Sequence, residues 1–346
     1  MLRSIILRRD VKLPRLIPVC FSSSYSDSQW SSSSRSRGAK PSRWGPPRAQ
    51  QRGRDHWRDN GRRPPLTRTN DGKDVPQLAG EGVYGIHSVL QALESGHRDA
   101  HALYVREERV PMDGQRPKKK SAADVRALER IRELAEAKDV EIHTTSKWML
   151  NHITGDKPHQ GVVLDAAPIQ LKEFVPAEPS EFTESERSPV ILVLDEIHDP
   201  QNFGAILRSA HFLGCSAVVV SDRNNAPLSP AVSRASVGAL EVMVANDKLM
   251  KARNLHEVLA ISGDLGWRIV GASSGPNSIT STNLPVGAQP TILVMGNEHR
   301  GLRKGIRQCC QDIVIIPGQA TDADTRVDSL NVSVASAILL YELLHH

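Results

Sequence analysis

A buried strand, a turn and a helix begin the stretch that decides the fold: Val190-Ile-Leu-Val-Leu-Asp195, Glu196-Ile-His-Asp-Pro-Gln-Asn202 and Phe203-Gly-Ala-Ile-Leu-Arg208. The first segment is a continuous apolar run, which is typical of a strand covered on both faces. From this unit onward, apolar strand patterns alternate with helical patterns as far as Leu344. The alternation predicts an α/β domain, with a parallel sheet between two layers of helices.

Two later segments repeat the pattern of an apolar strand followed by polar residues. Thr291-Ile-Leu-Val-Met295 runs into Gly296-Asn-Glu298-His-Arg-Gly-Leu302. Ile313-Val-Ile-Ile-Pro317 leads through a polar loop to Ser329-Leu-Asn331-Val-Ser-Val-Ala-Ser336. Ligands of open α/β sheets bind outside the carboxyl ends of the strands. We therefore expect the three polar clusters to meet at one edge of the sheet.

The first polar cluster contains two candidate site residues, Asn202 and Arg208. Asn202 stands where a helix N-cap belongs, and capping alone accounts for it. Arg208 lies outside the apolar stripe of its helix, and Gly204, one turn earlier, leaves space beside it. Most such arginines are solvated, but this one is expected to point towards the edge where the clusters converge.

The second and third clusters offer a carboxylate and a helix start. Gly296 permits a positive φ or the close approach of another group to the backbone. Glu298 would fix the Arg208 guanidinium in a bidentate pair, or it is an ordinary loop carboxylate. Ser329 or Asp328 is expected to cap the last helix. The sequence contains no Walker or Gly-x-Gly-x-x-Gly motif, which disfavours phosphate-loop and dinucleotide sites.

The N-terminal region holds the basic charge of the chain. Residues 1–78 contain 17 Lys/Arg and 6 Asp/Glu, whereas residues 79–346 contain 27 Lys/Arg and 33 Asp/Glu. Because the folded part is mildly acidic, its net charge does not predict nucleic-acid binding. Residues 1–34 are rich in Arg and Ser and poor in acids, which predicts a mitochondrial transit peptide; the alternative is a basic tail without targeting value. Residues 35–78 are rich in Arg, Pro and Gly, which predicts a disordered linker that either grips RNA or is simply solvated.

A small α/β domain is predicted over residues 80–170, followed by an interdomain linker over 171–189 that is rich in Glu, Pro and Ser. Lys118-Lys-Lys120 is either a solvated loop or the contact of this domain with RNA. The histidines of the domain lack metal-ligand spacing, and the four cysteines of the chain fit neither a disulfide framework nor a zinc ribbon. We therefore expect no metal site. We also expect no membrane span, since no apolar run approaches the ~20 residues that a membrane-spanning helix needs.

The three clusters resemble the ordered motifs of the SpoU/TrmH branch of the SPOUT methyltransferases. The segments that carry the resemblance are Asp199–Arg208, Met295–Leu302 and Ile316–Ala335. The resemblance implies transfer of a methyl group from S-adenosyl-L-methionine to a ribose 2′-hydroxyl of RNA. It also implies a C-terminal trefoil knot in a SPOUT domain over residues 190–346, a homodimer, and a substrate-binding domain akin to ribosomal protein L30 that begins Val83-Tyr-Gly-Ile-His87.

The resemblance also assigns site residues. Four residues fall on the polar site positions of the family: Asn202, Arg208, Glu298 and Asn331. Six residues would hold the cofactor: Met295, Gly296, Ile316, Pro317, Ser329 and Leu330. Arg208 is expected to stabilise the developing alkoxide and to anchor a phosphate, because a guanidinium stays protonated and is a poor base.

The resemblance and the transit-like leader together imply a substrate and a compartment. The substrate would be a guanosine in the peptidyl-transferase region of mitochondrial large-subunit rRNA, in the mitochondrial matrix. The alternatives are the same chemistry on tRNA and a non-catalytic RNA-binding factor in ribosome assembly. Two features depart from the family pattern: His299, followed by Arg300, stands where a glycine usually follows the Glu of the second motif, and the loop 319–328 is longer and more acidic than in compact bacterial members. We expect both to affect loop conformation and the approach of RNA.

Overall fold

The computed structural model describes seven segments of the chain. These are residues 66–68, 74–107, 121–183, 187–275, 278–284, 289–318 and 329–345. The predicted transit peptide, most of the Arg-rich segment, the lysine triplet and the loop 319–328 lie outside the described residues. Two short antiparallel strands, β1 (Leu66–Arg68) and β2 (Asp74–Pro76), fall inside the segment predicted to be a disordered linker. The linker prediction does not hold for these residues, since their backbones pair.

The first folded unit is a four-stranded sheet with three helices. Its elements are β3 (Glu81–Tyr84), α1 (Ile86–Ser95), β4 (Ala100–Arg106), α2 (Ala122–Ala137), β5 (Glu141–Thr145), α3 (Lys147–Thr154) and β6 (Val162–Ala166). The strand order is β3-β6-β4-β5, and only the β4–β5 pairing is parallel. Ser121 and Ser146 cap α2 and α3 with their side chains, as serine does at helix starts.

The second unit is a seven-stranded sheet of order β11-β13-β10-β12-β7-β8-β9, in which every pairing is parallel. Its elements are β7 (Val190–Leu194), α4 (Pro200–Leu213), β8 (Ala217–Ser221), α5 (Pro230–Ala235), α6 (Ala239–Ala245), β9 (Leu249–Ala252), α7 (Leu255–Asp264), β10 (Arg268–Ala272), β11 (Ile279–Thr280), β12 (Thr291–Met295), α8 (Lys304–Cys309), β13 (Asp312–Ile315) and α9 (Val332–His345). The predicted α/β fold with a parallel sheet is confirmed.

Strand β7 shows why the sheet lies between two helical layers. Val190, Leu192 and Leu194 join one apolar cluster, which contains residues of α4, α6 and α9. Ile191 and Val193 join the other, which contains residues of α7 and α8. Successive side chains of a strand point to opposite faces, so an unbroken apolar run supplies both layers.

The region after β8 differs from its prediction. The sequence pattern predicts one helix near 229–240 followed by the apolar triplet Val242-Met-Val244, but the structure has two helices here and residues 242–244 belong to the second, α6. A turn breaks the helix, because Val237 and Gly238 have φ angles of 56° and 87°. A Cβ on Gly238 would lie 2.7 Å from Cγ of Gln91 in α1. Glycine is required at this position because the small domain packs directly on the turn.

The predicted interdomain linker packs on the large sheet. Phe174 is buried, and Glu173 forms a parallel bridge with Lys251 in β9. The indole Nε1 of Trp267 donates a hydrogen bond to the Ala177 carbonyl at 2.8 Å. The described part of this segment, residues 171–183 and 187–189, therefore belongs structurally to the second unit.

A buried ion pair joins the two units. Arg98 Nε and Nη2 donate to the two Glu241 oxygens at 2.9 Å and 3.1 Å, and both side chains are almost fully buried. Ser233 Oγ also donates to Glu241 at 2.7 Å, and Ser88 Oγ donates to the Ser233 carbonyl at 3.0 Å. Burial alone would raise the pKa of Glu241, but His97, Arg98 and Ser233 together hold it below its usual range. The small domain is thus tied to the large one by charge as well as by packing.

Two classes of feature are not found within these described segments. No helix there is long and apolar enough to cross a membrane. No group of three or more His, Cys, Asp or Glu side chains there could hold a metal ion. The described cysteines, Cys215, Cys309 and Cys310, are free thiols.

Candidate active site

The three predicted clusters follow the carboxyl ends of β7, β12 and β13. Strands β7 and β12 are neighbours, and β10 separates β12 from β13. Because all three strands are parallel, their carboxyl ends lie at the same edge of the sheet. The residues that follow them can therefore reach one another, as the sequence predicts.

A chain of hydrogen bonds joins the three clusters. Asn202 Nδ2 donates to Glu298 Oε1 at 2.8 Å, and Asn331 Nδ2 donates to Asn202 Oδ1 at 3.0 Å. Asn331 Oδ1 in turn accepts from the backbone N–H and the hydroxyl of Ser333 at 2.9 Å and 2.6 Å. An ionised carboxylate only accepts hydrogen bonds, so Glu298 fixes the orientation of both amides.

The capping predictions for Asn202 and Ser329 are wrong, and Asp328 lies outside the described residues. The N-cap of α4 is Asp199, whose carboxylate accepts from the backbone N–H two residues on, and Pro200 occupies the first turn. The Asn202 side chain is thereby left for the contacts just described. Helix α9 begins at Val332, so Ser329 is too early to cap it. The Asn331 side chain accepts from the backbone N–H of Ser333, in the first turn, instead.

A tight loop after β12 holds Glu298. Gly296 is buried, and a Cβ there would overlap the carbonyl group of Gly301. The backbones of Asn297 and Gly301 exchange hydrogen bonds of 3.1 Å and 3.0 Å. Asn297 also donates to the Glu196 carbonyl at 2.9 Å and accepts from the N–H groups of His299 and Arg300. The loop is closed by backbone and Asn297 contacts, while the unusual His299 and Arg300 side chains are exposed.

A salt bridge that sequence reasoning missed lies beside this loop. Arg303 Nε and Nη2 donate to the two Asp195 oxygens at 2.8 Å and 2.6 Å. Asp195 is buried, whereas the Arg303 side chain is half exposed. Burial raises the pKa of Asp195, and Arg303 offsets this only in part; the hydrogen bond with Asp195 raises the pKa of Arg303. One sequence feature could have indicated this bridge: Asp195 is an acidic residue directly after an apolar strand.

Arg208 lies in a different place from the other three polar residues. Its side chain is exposed on α4 and lines a cavity of about 500 Å³ between α1, α4 and residues 236–239. Within the described parts of one chain, Arg208 makes no hydrogen bond or ion pair with Glu298. The expected pair is therefore not intramolecular among these residues. Gly204 does not leave open space either, because its Cβ would come within 2.5 Å of Ala235 Cβ.

The six predicted cofactor residues lie after β12, after β13 or before α9. Met295 and Gly296 are buried, Ile316 and Pro317 are half-buried, and Ser329 and Leu330 are exposed. Leu330 is 42% exposed and directly precedes Asn331, whose side chain belongs to the hydrogen-bonded chain that reaches Glu298 through Asn202.

The fold is that of known RNA methyltransferases. The AdoMet-bound rRNA methyltransferase from Sinorhizobium meliloti superimposes with a TM-score of 0.58 at 20% identity, over 76% of this chain and 86% of that chain. At this identity the likeness establishes the architecture alone.

The sequence comparisons define the family. Residues 189–341 match the SpoU rRNA Methylase family, and residues 83–172 match the RNA 2′-O ribose methyltransferase substrate binding family. The chain is 32% identical to human "rRNA methyltransferase 1, mitochondrial" over 282 residues, which covers 78% of this chain and 74% of that protein. It is 34% identical to the Schizosaccharomyces pombe protein of the same name over 295 residues, with coverage of 77% and 90%. The chain belongs to the SpoU rRNA methylase family, as its motifs predict.

Proposed function

We propose that the protein transfers a methyl group from S-adenosyl-L-methionine to the ribose 2′-hydroxyl of a guanosine in mitochondrial large-subunit rRNA, and so supports mitoribosome biogenesis. The observation that carries the chemistry is the hydrogen-bonded chain of Asn331, Asn202 and Glu298, which unites the three family motifs. The names of the human and fission-yeast relatives support rRNA and the mitochondrion. The Arg- and Ser-rich, acid-poor composition of residues 1–34 supports the matrix, and the peptidyl-transferase region is the proposed target by family resemblance.

The cofactor would be held mainly by backbone groups after β12 and β13. Gly296, Ile316 and Leu330 would contribute these groups, with Met295, Pro317 and Ser329 beside them. When bound, S-adenosyl-L-methionine supplies an electrophilic methyl group on a sulfonium. The close approach of Gly301 to Gly296 leaves no room for a side chain at this point of the loop.

The side chains of this chain would act by positioning and by electrostatics. The Asn202–Glu298 hydrogen bond holds the α4 start against the β12 loop, which orders the polar side of the site. Arg208 stays protonated, so it would bind the RNA phosphate and stabilise negative charge that develops on the 2′-oxygen. Removal of the hydroxyl proton is not assigned to Arg208.

A homodimer would bring Arg208 to the site. Helix α9 exposes apolar residues along one stripe, including Val334 at 47% and Tyr341 at 51% exposure, and Phe212 on α4 is 86% exposed. These helices border a mainly apolar cavity of about 360 Å³. We propose that a second copy of the chain covers this apolar face. In a symmetric dimer the same face of both protomers would meet, and the exposed apolar residues of α4 and α9 would be buried on both. The partner's Arg208 would then face Glu298, which Arg208 does not contact within one chain.

The finer architecture is also proposed from the family resemblance. Residues 190–346 would contain a C-terminal trefoil knot built from the segments of the second and third motifs. Residues 80–170 would form the L30-like substrate-binding domain, and 171–189 would connect the two. A crystal structure that includes the loop 319–328 would test the knot, because this loop joins β13 to α9.

Methyl transfer to defined RNAs tests the proposed function. The purified full chain should transfer labelled methyl groups to a transcript of the peptidyl-transferase region, and mapping should place the product at a guanosine 2′-oxygen. Transfer to mitochondrial tRNA alone would favour the tRNA enzyme. An absence of S-adenosyl-L-methionine binding in calorimetry would favour a non-catalytic assembly factor. Ribose-methylation mapping of mitochondrial RNA with and without the gene would identify the natural target.

A further inference from the structure

The cavity that contains Arg208 is formed by both domains. The small domain contributes His87 and Gln91 from α1, and the large domain contributes Arg208 and His211 from α4. His87, Arg208 and His211 are all exposed to solvent. Among the described residues that line this cavity, none is acidic. One lining residue contacts an acid outside the lining, since Gln91 Nε2 donates to Glu94 at 3.1 Å.

The basic groups of the cavity come from two helices, α1 and α4. Arg208 and His211 are three residues apart on α4, which places them side by side on one helix face. His87 lies in the first turn of α1. The cavity therefore presents N–H donors from both walls, at a site that exists only while the two domains are docked.

The floor of the cavity is a strained turn. Val237 adopts a left-handed backbone with φ of 56°, which is strongly disfavoured for a β-branched residue. Gly238 follows with φ of 87°, and its Cβ position is 3.0 Å from the His87 carbonyl oxygen. Strained backbone of this kind concentrates at functional sites, where it is maintained by the surrounding structure. Here the turn packs directly against α1, through Gln91 and the His87 carbonyl.

The docking that forms the cavity is fixed by buried polar contacts. Arg98 and Glu241 pair with both side chains almost fully buried, and Ser88 bonds to the Ser233 carbonyl between them. A buried pair of this type is expensive to break, because a single unpaired charge would remain in the interior. The positions of His87 and Arg208 relative to each other are therefore set by the fold.

We propose that this cavity binds a sugar–phosphate segment of the substrate RNA, with His87 and His211 as phosphate-binding residues beside Arg208. The inference rests on the proposed function and adds to it a place where RNA is gripped by both domains at once. Imidazole and guanidinium N–H groups are suitable donors to phosphate oxygens, and within one chain the described lining residues include no carboxylate to repel the RNA backbone. RNA held here would also be held against Arg208.

Charge substitutions of opposite sign test this assignment. His87→Lys and His211→Lys should tighten binding of a peptidyl-transferase-region transcript, and His87→Glu and His211→Glu should weaken it, each several-fold. The slope of log affinity against log salt should steepen by about 0.7 for each Lys variant that gains a phosphate contact. Matched controls are His101→Lys and His101→Glu, since His101 is also exposed in the small domain but lies on β4, outside the cavity lining.

Equal shifts at His101 would overturn the proposal, because net charge alone would then explain them. Unchanged binding in the His87 and His211 variants would overturn it as well. A change in oligomeric state without a change in RNA affinity would assign the cavity to a contact between copies instead. Binding is measured without S-adenosyl-L-methionine, so the result does not depend on methyl transfer. Failure of catalysis with intact cavity-dependent RNA binding would overturn the proposed function alone.

Discussion

Asn202 Nδ2 and Glu298 Oε1 are joined by a hydrogen bond of 2.8 Å that connects residues 96 positions apart in the chain. The other end of the Asn202 amide accepts from Asn331, so one side chain links the starts of α4 and α9 to the loop after β12. The Asn202 amide donates one hydrogen bond and accepts the other, so a side chain that can only donate or only accept would lose one of the two. Asn202 is therefore the position where the three motifs are most easily uncoupled.

Asn202→Asp should disrupt the site without unfolding the protein. The new carboxylate can still accept from Asn331, but it faces Glu298 with like charge and no donor. We expect methyl transfer to fall by about 10²-fold, the scale of losing one oriented polar group in an active site. Labelled methyl transfer to the rRNA transcript is the measurement. Gln201→Glu places the same charge on an exposed neighbour and should retain activity; a similar loss there would contradict a specific role for Asn202.

Arg208→Lys separates a role for the guanidinium from a role for positive charge. A lysine keeps the charge but lacks the planar fork that binds phosphate with two donors. Methyl transfer should fall by at least about 10²-fold while cofactor binding in calorimetry is unchanged. Arg126→Lys, an exposed arginine on α2, is the matched control. Substantial retained activity of Arg208→Lys would argue against the role proposed for it.

Val334→Asp should weaken self-association. This residue lies on the exposed apolar stripe of α9, where a carboxylate would be buried without a partner in the proposed dimer. Analytical ultracentrifugation should show a shift from dimer to monomer, and methyl transfer should fall with it. Val125→Asp is the control, because Val125 is similarly exposed at 41% on α2 of the small domain. A Val334→Asp variant that sediments as the wild-type dimer would place the interface elsewhere.

Glu241→Gln should destabilise the docked domains in a pH-dependent way. The variant leaves the buried Arg98 guanidinium without a charge partner, which costs roughly 3–5 kcal/mol at neutral pH. The folded pKa of Glu241 is lowered below its ordinary value of 4.5, so its stabilising contribution is present above that value and is lost as pH falls through the folded pKa. Urea unfolding at pH 7 and below pH 4 should show the two proteins converging in acid.

The control for this experiment is Glu129→Gln, an exposed glutamate on α2, which should change unfolding little at either pH. A difference between wild type and Glu241→Gln that stayed constant with pH would mean that the carboxylate is not the ionised partner of Arg98. Unfolding should be followed with the full chain, because the pair joins the two domains.

The strands that build the site were predictable from sequence because both of their faces are covered by apolar side chains, so every strand residue is apolar or small. β7 and β12 are apolar runs buried on both faces, and their observed limits, Val190–Leu194 and Thr291–Met295, agree with the runs. The triplet 242–244 could not be assigned from its own residues, because a short apolar run suits a helix as well as a strand. Its state was decided by the turn at Gly238, where α1 packs from another domain.

The site residues were predictable as a set, but their contacts were not. The motif resemblance selects Asn202, Glu298 and Asn331, and the structure brings these three together. Local sequence favours capping for Asn202, and only the fold shows Asp199 in that role. The Asp195–Arg303 bridge spans 108 residues, so it depends on which strands become neighbours. Arg208 was paired with Glu298 by charge alone, and in one chain it lies beside a cavity of the domain junction.

The Arg98–Glu241 pair has a consequence for changing which RNA this protein recognises. If the substrate-binding domain were replaced by that of a relative, a different residue could lie opposite Glu241. Without a positive partner, the Glu241 carboxylate would be an unpaired charge in the interior. Transplanting the module alone should therefore yield poorly folded hybrids. Successful chimeras would have to exchange residues 98 and 241 as a unit, together with the Gly238 turn against which α1 rests.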